Sequence, residues 1–204
     1  MERQPKPSLS HECRPFMHQS IRGHFLIASK PLKDPNFFRT VVLIVEHNAE
    51  GAMGLVVNRP SSVSVAHALS EHFEFPQNDE VVYFGGPVEP TALFILHNSQ
   101  ELENSAEPVI PGLYVGNSPD VFQSIVRSAA EGDRSFEYRI FSGCAGWAAD
   151  QLDGELERGD WYHIPAPSEA FLYEDPYRFW SKSLRTVSVT NQLFGDNEVL
   201  PEWN

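Results

Sequence analysis

Two cysteines and eight histidines are the side chains of this 204-residue chain best suited to nucleophilic or acid–base work. Cys144 stands in Ser142-Gly143-Cys144-Ala145-Gly146, a stretch that reads as a turn joining a strand to a helix. A thiol at a helix N-terminus has its pKa lowered by the dipole and becomes a nucleophile when a base is near. His24, His47, His97 or His163 can supply that base only if the fold brings one to the thiol. An unactivated cysteine is a small apolar filler, and that is the simpler reading. Free amides at a strand–helix junction can hold an anion, which makes Gly143 and Gly146 candidate ligand contacts. The same turn lacks the lysine of a phosphate loop, the dinucleotide fingerprint and the serine elbow of a hydrolase, so no cofactor is expected. Tight-turn packing is glycine's more general use.

Asn58 and Arg59 end an apolar run and precede Pro60. A guanidinium there can clamp a carboxylate or phosphate in two-point fashion; the competing reading pairs Arg59 with one of the many acids. His47 and Asn48 occupy the polar margin of the preceding run and are further contact candidates. The histidines show no metal spacing. His67 and His72 are five apart on an expected helix, and adjacent Glu46 and His47 point to opposite sides of a strand, so no metal site is expected. Trp147, Trp161, Tyr177, Phe179 and Trp180 suit a stacking platform, although aromatic spacing of this kind more often packs a core.

The elements that must hold these residues centre on Arg39–Pro60. Two β-branched apolar runs flank the polar segment around Asn48-Ala49-Glu50-Gly51, which predicts a hairpin. Both runs are almost continuously apolar, so both faces of their sheet require cover. Further strands are expected at Gly23–Ser29, Glu80–Phe84, Thr91–His97, Gly112–Gly116, Phe136–Phe141 and Asp160–Ile164, with residues 98–111 a surface loop. Gly85-Gly86-Pro87 reads as a strand-ending turn, or as a place where another backbone approaches closely. Val63, Val65, Ala66, Leu69 and Phe73 are spaced as a short helix that Ser61 or Ser62 can cap. Ser118-Pro119-Asp120 starts a helix that Gly132 ends. A third helix carries Trp147, Leu152 and Leu156. Ser168 can cap a short turn through Tyr173, and a last helix runs from Asp175 to about Thr186 with Tyr177, Phe179, Trp180 and Leu184 as its aromatic face. Strands arrive in hairpin-like pairs before most helices do, so the class is α+β. Residues 1–22 read as a flexible leader, 23–187 as one domain and 188–204 as a polar tail.

Fifteen basic residues against 28 acidic ones leave a net charge of −13. Phosphate-gripping proteins need local positive charge, so direct nucleic-acid binding is disfavoured. The apolar runs are too short to span a bilayer, no signal peptide is visible, and a cytoplasmic location is the expectation. Two cysteines in polar or glycine-rich surroundings do not suggest a disulfide framework.

Ordered along the chain, Gly23-His-Phe-Leu-Ile-Ala-Ser29, Asp34-Pro-Asn-Phe-Phe-Arg-Thr-Val-Val-Leu43, Glu46-His-Asn48 and Gly51-Ala-Met-Gly-Leu-Val-Val-Asn-Arg-Pro60 form a recognisable set. Tyr83-Phe-Gly-Gly-Pro-Val88 and Phe141-Ser-Gly-Cys-Ala-Gly-Trp147, followed by Gln151-Leu152, complete it. Together they resemble the AlgH/YqgE family of bacterial proteins over residues 21–187. The resemblance implies a branched, partly barrel-like β-sheet surrounded by helices. It brings the label of transcriptional regulator but no agreed reaction, cofactor or catalytic residue. It also marks a departure, because the family usually has tyrosine where this chain has Cys144; a small residue filling tyrosine space is then the plain reading. The function expected is a non-enzymatic regulatory or binding module for a protein or a small anionic ligand. The alternatives are a regulator acting on DNA and an enzyme using Cys144 or the histidines.

Overall fold

The computed structural model describes residues 19–70, 74, 80–102, 107–132, 136–167, 172 and 174–194. Strands β1 (His24–Ala28), β2 (Val41–Asn48), β3 (Gly51–Val56), β4 (Pro60–Ser64), β5 (Val81–Phe84), β6 (Val88–His97), β7 (Tyr114–Gly116), β8 (Tyr138–Ala148) and β9 (Trp161–Pro165) form one mixed sheet. Its main path runs β4-β5-β8-β3-β2-β1-β9 and stays open, while β6 branches from β8 and carries β7. The helices are α1 (Val65–Leu69), α2 (Pro119–Glu131), α3 (Gln151–Glu157) and α4 (Pro176–Phe194). The class is α+β, and the branching expected from the family resemblance is present.

The branch point is β8, an eleven-residue strand. Its first half pairs antiparallel with β6 and, at Phe141 and Ser142, parallel with β5; its last residues pair with β3. Ser142–Gly146 is therefore the middle of a strand, which corrects the turn expected there. Trp147 lies on β8, and α3 starts only at Gln151, after Asp150 in a left-handed conformation. Glycine served close approach here, not chain reversal. A Cβ on Gly85 would lie 2.2 Å from the Gly143 carbonyl oxygen, and one on Gly86 2.2 Å from the Cys144 carbonyl. The backbone that approaches Gly85-Gly86 is this chain's own β8.

The hairpin forms as expected, with Leu43 opposite Leu55 and Val42 opposite Val56. Val41, Val42, Leu43 and Ile44 have no solvent exposure. On one face Phe25, Ile27, Leu43 and Leu55 pack in a core with Phe179 and Val187 of α4. On the other, Leu26, Val42, Ile44 and Val56 share a core with Leu152 of α3, and Leu32 and Phe37 close over it. A third core sets α1 and α2 against Val82, Ile95 and Ile140. Each fully buried aliphatic side chain contributes about 1.5–3 kcal/mol, so covering both faces of the hairpin is what fixes the centre of the sheet.

Several boundaries move. Pro60–Ser64 is a strand whose Ser64 caps α1, so neither Ser61 nor Ser62 is the cap and Val63 is exposed. His72, Phe73 and Ser168–Ala170 lie outside the described residues. Strand β6 begins at Val88, not Thr91. Ser118 and left-handed Gly132 do bound α2. Ser20–Arg22 dock on β2, with Ile21 buried, although the sequence places them in the leader. Helix α4 continues past Thr186 to Phe194, into the stretch read as tail.

Candidate functional site

The passage from β3 to β4 is where the polar margin of the hairpin meets the first turn of α4. A cleft of about 440 Å³ opens there, lined by Arg39, Asn58, Arg59, Pro60, Phe84, Pro176 and Tyr177. None of these seven is acidic. Asn58 is buried and braces the cleft floor: its Oδ1 accepts from the Val41 amide at 2.8 Å, and its Nδ2 donates to the Arg39 carbonyl at 3.0 Å. Among the described residues no carboxylate accepts a hydrogen bond from Arg59. Its Nη1 donates to the Asn36 carbonyl at 2.7 Å, and its Nη2 to the carbonyls of Pro35 and Phe38 at 3.2 and 3.0 Å. Those bonds use three of an arginine's five N–H donors. Partial burial lowers the Arg59 pKa, with nearby Asp34 opposing, yet a guanidinium stays charged at neutral pH.

Arg39 is the residue that sequence reasoning missed. It sits in the turn before β2 with φ of 56°, a left-handed conformation that costs a non-glycine residue roughly 1–2 kcal/mol. Its carbonyl is held by Asn58, and its exposed guanidinium lies over the rings of Phe38, at 5.0 Å, and Trp180, at 5.4 Å. Among the described residues no carboxylate pairs with it. Tyr177, expected in the aromatic face of the last helix, instead stands 83% exposed beside the cleft. Only a left-handed φ distinguishes Arg39, and no residue type next to it signals that φ. Tyr177 escapes notice because it shares the helical spacing of Phe179 and Trp180, which do pack inward.

The other candidates lie elsewhere. His47 has a buried imidazole on β2. Its Nδ1 accepts from the Ile21 amide at 3.1 Å, and its Nε2 is 3.7 Å from Asp153 Oδ2. Asp153 lines a second cleft, of about 360 Å³, with Glu157, His24 and His163. The His24 and His163 rings are 5.4 Å apart, and burial with the neighbouring His24 lowers the His163 pKa. Among the described residues no three His, Cys, Asp or Glu side chains are grouped to hold a metal. Gly143 and Gly146 line neither cleft. A Cβ on Gly143 would lie 2.5 Å from the Gly86 carbonyl oxygen, and Gly146 is an exposed strand residue beside Val88.

Cys144 is a free, buried strand residue, not a helix-terminal thiol. Burial and nearby Glu89 raise its pKa, the reverse of the shift a helix dipole would give. The aromatic platform is divided. Trp147 and Trp161 pack on the α3 face with Phe37, and both indole N–H groups donate to Glu155 Oε2, at 2.9 and 2.8 Å. Phe179 faces the opposite core.

An open, branched mixed sheet with α-helices on its faces, and a cleft lined by two arginines at the β3–β4 passage, defines a protein of the α+β class. The chain belongs to the AlgH-like family, whose model matches residues 25–192. It is 38% identical over 182 residues to a UPF0301 protein of Chlorobaculum tepidum, covering 89% of this chain and 95% of that one. A UPF0301 protein of Idiomarina loihiensis is 37% identical over 169 residues, or 80% of this chain and 89% of the relative. The solution structure of the AlgH protein from Pseudomonas aeruginosa superimposes with a TM-score of 0.69 at 34% identity, covering 90% of this chain and all of that one. A crystal structure of a Corynebacterium diphtheriae protein shares the fold, with a TM-score of 0.65 at 23% identity over 83% of this chain and 88% of that one. No helix among the described residues is long and apolar enough to cross a membrane.

Proposed function

We propose that this chain is a non-enzymatic binding module of regulatory type, acting in the cytoplasm, whose cleft at the β3–β4 passage takes a small anionic ligand. The observation that carries the reading is Arg39, an exposed guanidinium without a carboxylate partner among the described residues, beside a second arginine. Such a group is unusual in a chain with 28 acidic residues and 15 basic ones. Its backbone strain supports the same reading, since strained φ values persist where surrounding structure enforces them and cluster at ligand sites. Asn58 supplies that enforcement by holding the Arg39 carbonyl. Arg59 sets the loop from Pro35 to Phe38 and adds positive potential.

Arg39→Gly separates binding from folding, because glycine accepts the left-handed φ while removing the guanidinium. The variant is expected to keep its stability within about 1 kcal/mol of the parent and to lose binding of millimolar inorganic phosphate, followed by calorimetry. Equal phosphate binding by the parent and Arg39→Gly, or none by the parent, counts against the site.

A further inference from the structure

We infer that the ligand of the Arg39 cleft is an aromatic anion of mononucleotide size, its phosphate held by Arg39 and its planar base stacked on Tyr177. This inference rests on the anion reading above and adds a second recognition element to it. Five large apolar side chains are exposed among the described residues: Phe38, Val63, Val88, Tyr177 and Val189. The two aromatic ones both belong to this corner of the molecule. Tyr177 lines the cleft directly, and Phe38 lies under the Arg39 guanidinium. Exposed aromatic faces beside a cation recognise a planar π-system attached to an anion, because stacking and ion pairing then act on one ligand. An aliphatic polyanion would leave Tyr177 without a function.

The walls agree with that chemistry. Pro60, Pro176 and half-buried Phe84 are apolar, and charge enters only through the two arginines. The volume of about 440 Å³ falls in the range of small-molecule clefts. A polynucleotide fits the surface less well. It needs a basic track along several phosphates, whereas this chain carries −13 overall and the cleft ends in two cations. The first turn of α4, which carries Tyr177, is held by the Tyr177 amide donating to Asp175 Oδ1 at 3.0 Å.

AMP, ribose 5-phosphate and adenosine, titrated by calorimetry into the full chain, separate the contributions. AMP is expected to bind about tenfold more tightly than ribose 5-phosphate, the low end of what one stacked base supplies. Tyr177→Ala is expected to reduce AMP to the affinity of ribose 5-phosphate while leaving ribose 5-phosphate unchanged, and Tyr177→Phe to retain AMP. Arg39→Gly is expected to lose both phosphates. If AMP and ribose 5-phosphate bind equally and Tyr177→Ala changes neither, the aromatic inference is overturned and the anion site stands. If adenosine binds as tightly as AMP, or if neither phosphate binds, the anion reading falls and this inference with it.

Discussion

Arg39 and Cys144 show how differently two single residues can be judged once their backbone is known. Arg39 gained interest because its φ is strained and the residue is exposed, with no carboxylate partner among the described residues. Cys144 lost the feature that suggested reactivity, since it is neither at a helix end nor exposed. With its pKa raised by burial and by Glu89, the thiol is protonated at neutral pH. Alkylation of Cys144 in the native protein at pH 7.0 (roughly 1.5 units below the free thiol's pKa), followed at that residue by peptide mass spectrometry, should be at least tenfold slower than in an unfolded chain. An equal rate in both states would contradict the burial. His97 makes a pH-dependent prediction. It is fully buried and stacked 5.7 Å from Tyr114, and burial pushes its pKa down to about 4, opposed by a hydrogen bond that the ring donates to the Ser99 backbone. The unfolded chain therefore binds a proton that the folded chain refuses. The contribution of neutral His97 is complete above pH about 6.5 and is lost as the pH falls from there to about 4, in total about 3 kcal/mol. Urea unfolding at pH 7 and pH 4.5 should show a smaller loss of stability for His97→Leu than for the parent; parallel losses would place the titration elsewhere.

At the scale of elements, β8 explains most of what the sequence did and did not reveal. Its first residues alternate apolar and polar, so a strand was legible up to Phe141. Beyond that, Gly143 and Gly146 imitate a turn, because glycine looks the same whether it reverses the chain or lets another strand's backbone come near. The Gly85-Gly86 pair has the same ambiguity, and its answer lies about 58 residues away in β8, beyond any local pattern. Gly86→Ala tests the close approach. A Cβ there meets the Cys144 carbonyl at 2.2 Å with φ of 153°, so the expected cost exceeds about 4 kcal/mol. Gly132→Ala is the matching control, since its φ is 70° with nothing within 4 Å, and it should cost only roughly 1–2 kcal/mol. Chemical denaturation that ranked the two alike would contradict the packing of β5 and β6 against β8. The hairpin of β2 and β3, by contrast, was legible because a continuous β-branched run has one meaning when both faces are buried.

Over the whole molecule, class and sheet came from patterns that act locally, whereas the cleft depends on four separate segments. Asn58 and Arg59 were visible as the polar end of an apolar run. Arg39 and Tyr177 became partners of that pair only because α4 lays its first turn beside the β3–β4 passage, with Trp180 reaching over to donate to the Ala28 carbonyl at 2.8 Å. The second cleft, with His24, His163 and Asp153, arises from the pairing of β1 with β9 and is equally non-local. The acidic surface has a consequence for the first cleft. A screened field of net −13 repels anions at a distance, so an anion site here must work through direct contact and should not show strong long-range steering. The most direct measurement is therefore local. Nuclear magnetic resonance of the Arg39 side-chain Nε–H during a phosphate titration should show a saturable shift that is strongest at this residue. The same titration of Arg39→Gly should leave the amides of Asn58, Arg59 and Tyr177 unmoved. An Arg39 signal that does not respond to phosphate, or cleft amides that shift equally without the guanidinium, would contradict an anion site at the β3–β4 passage.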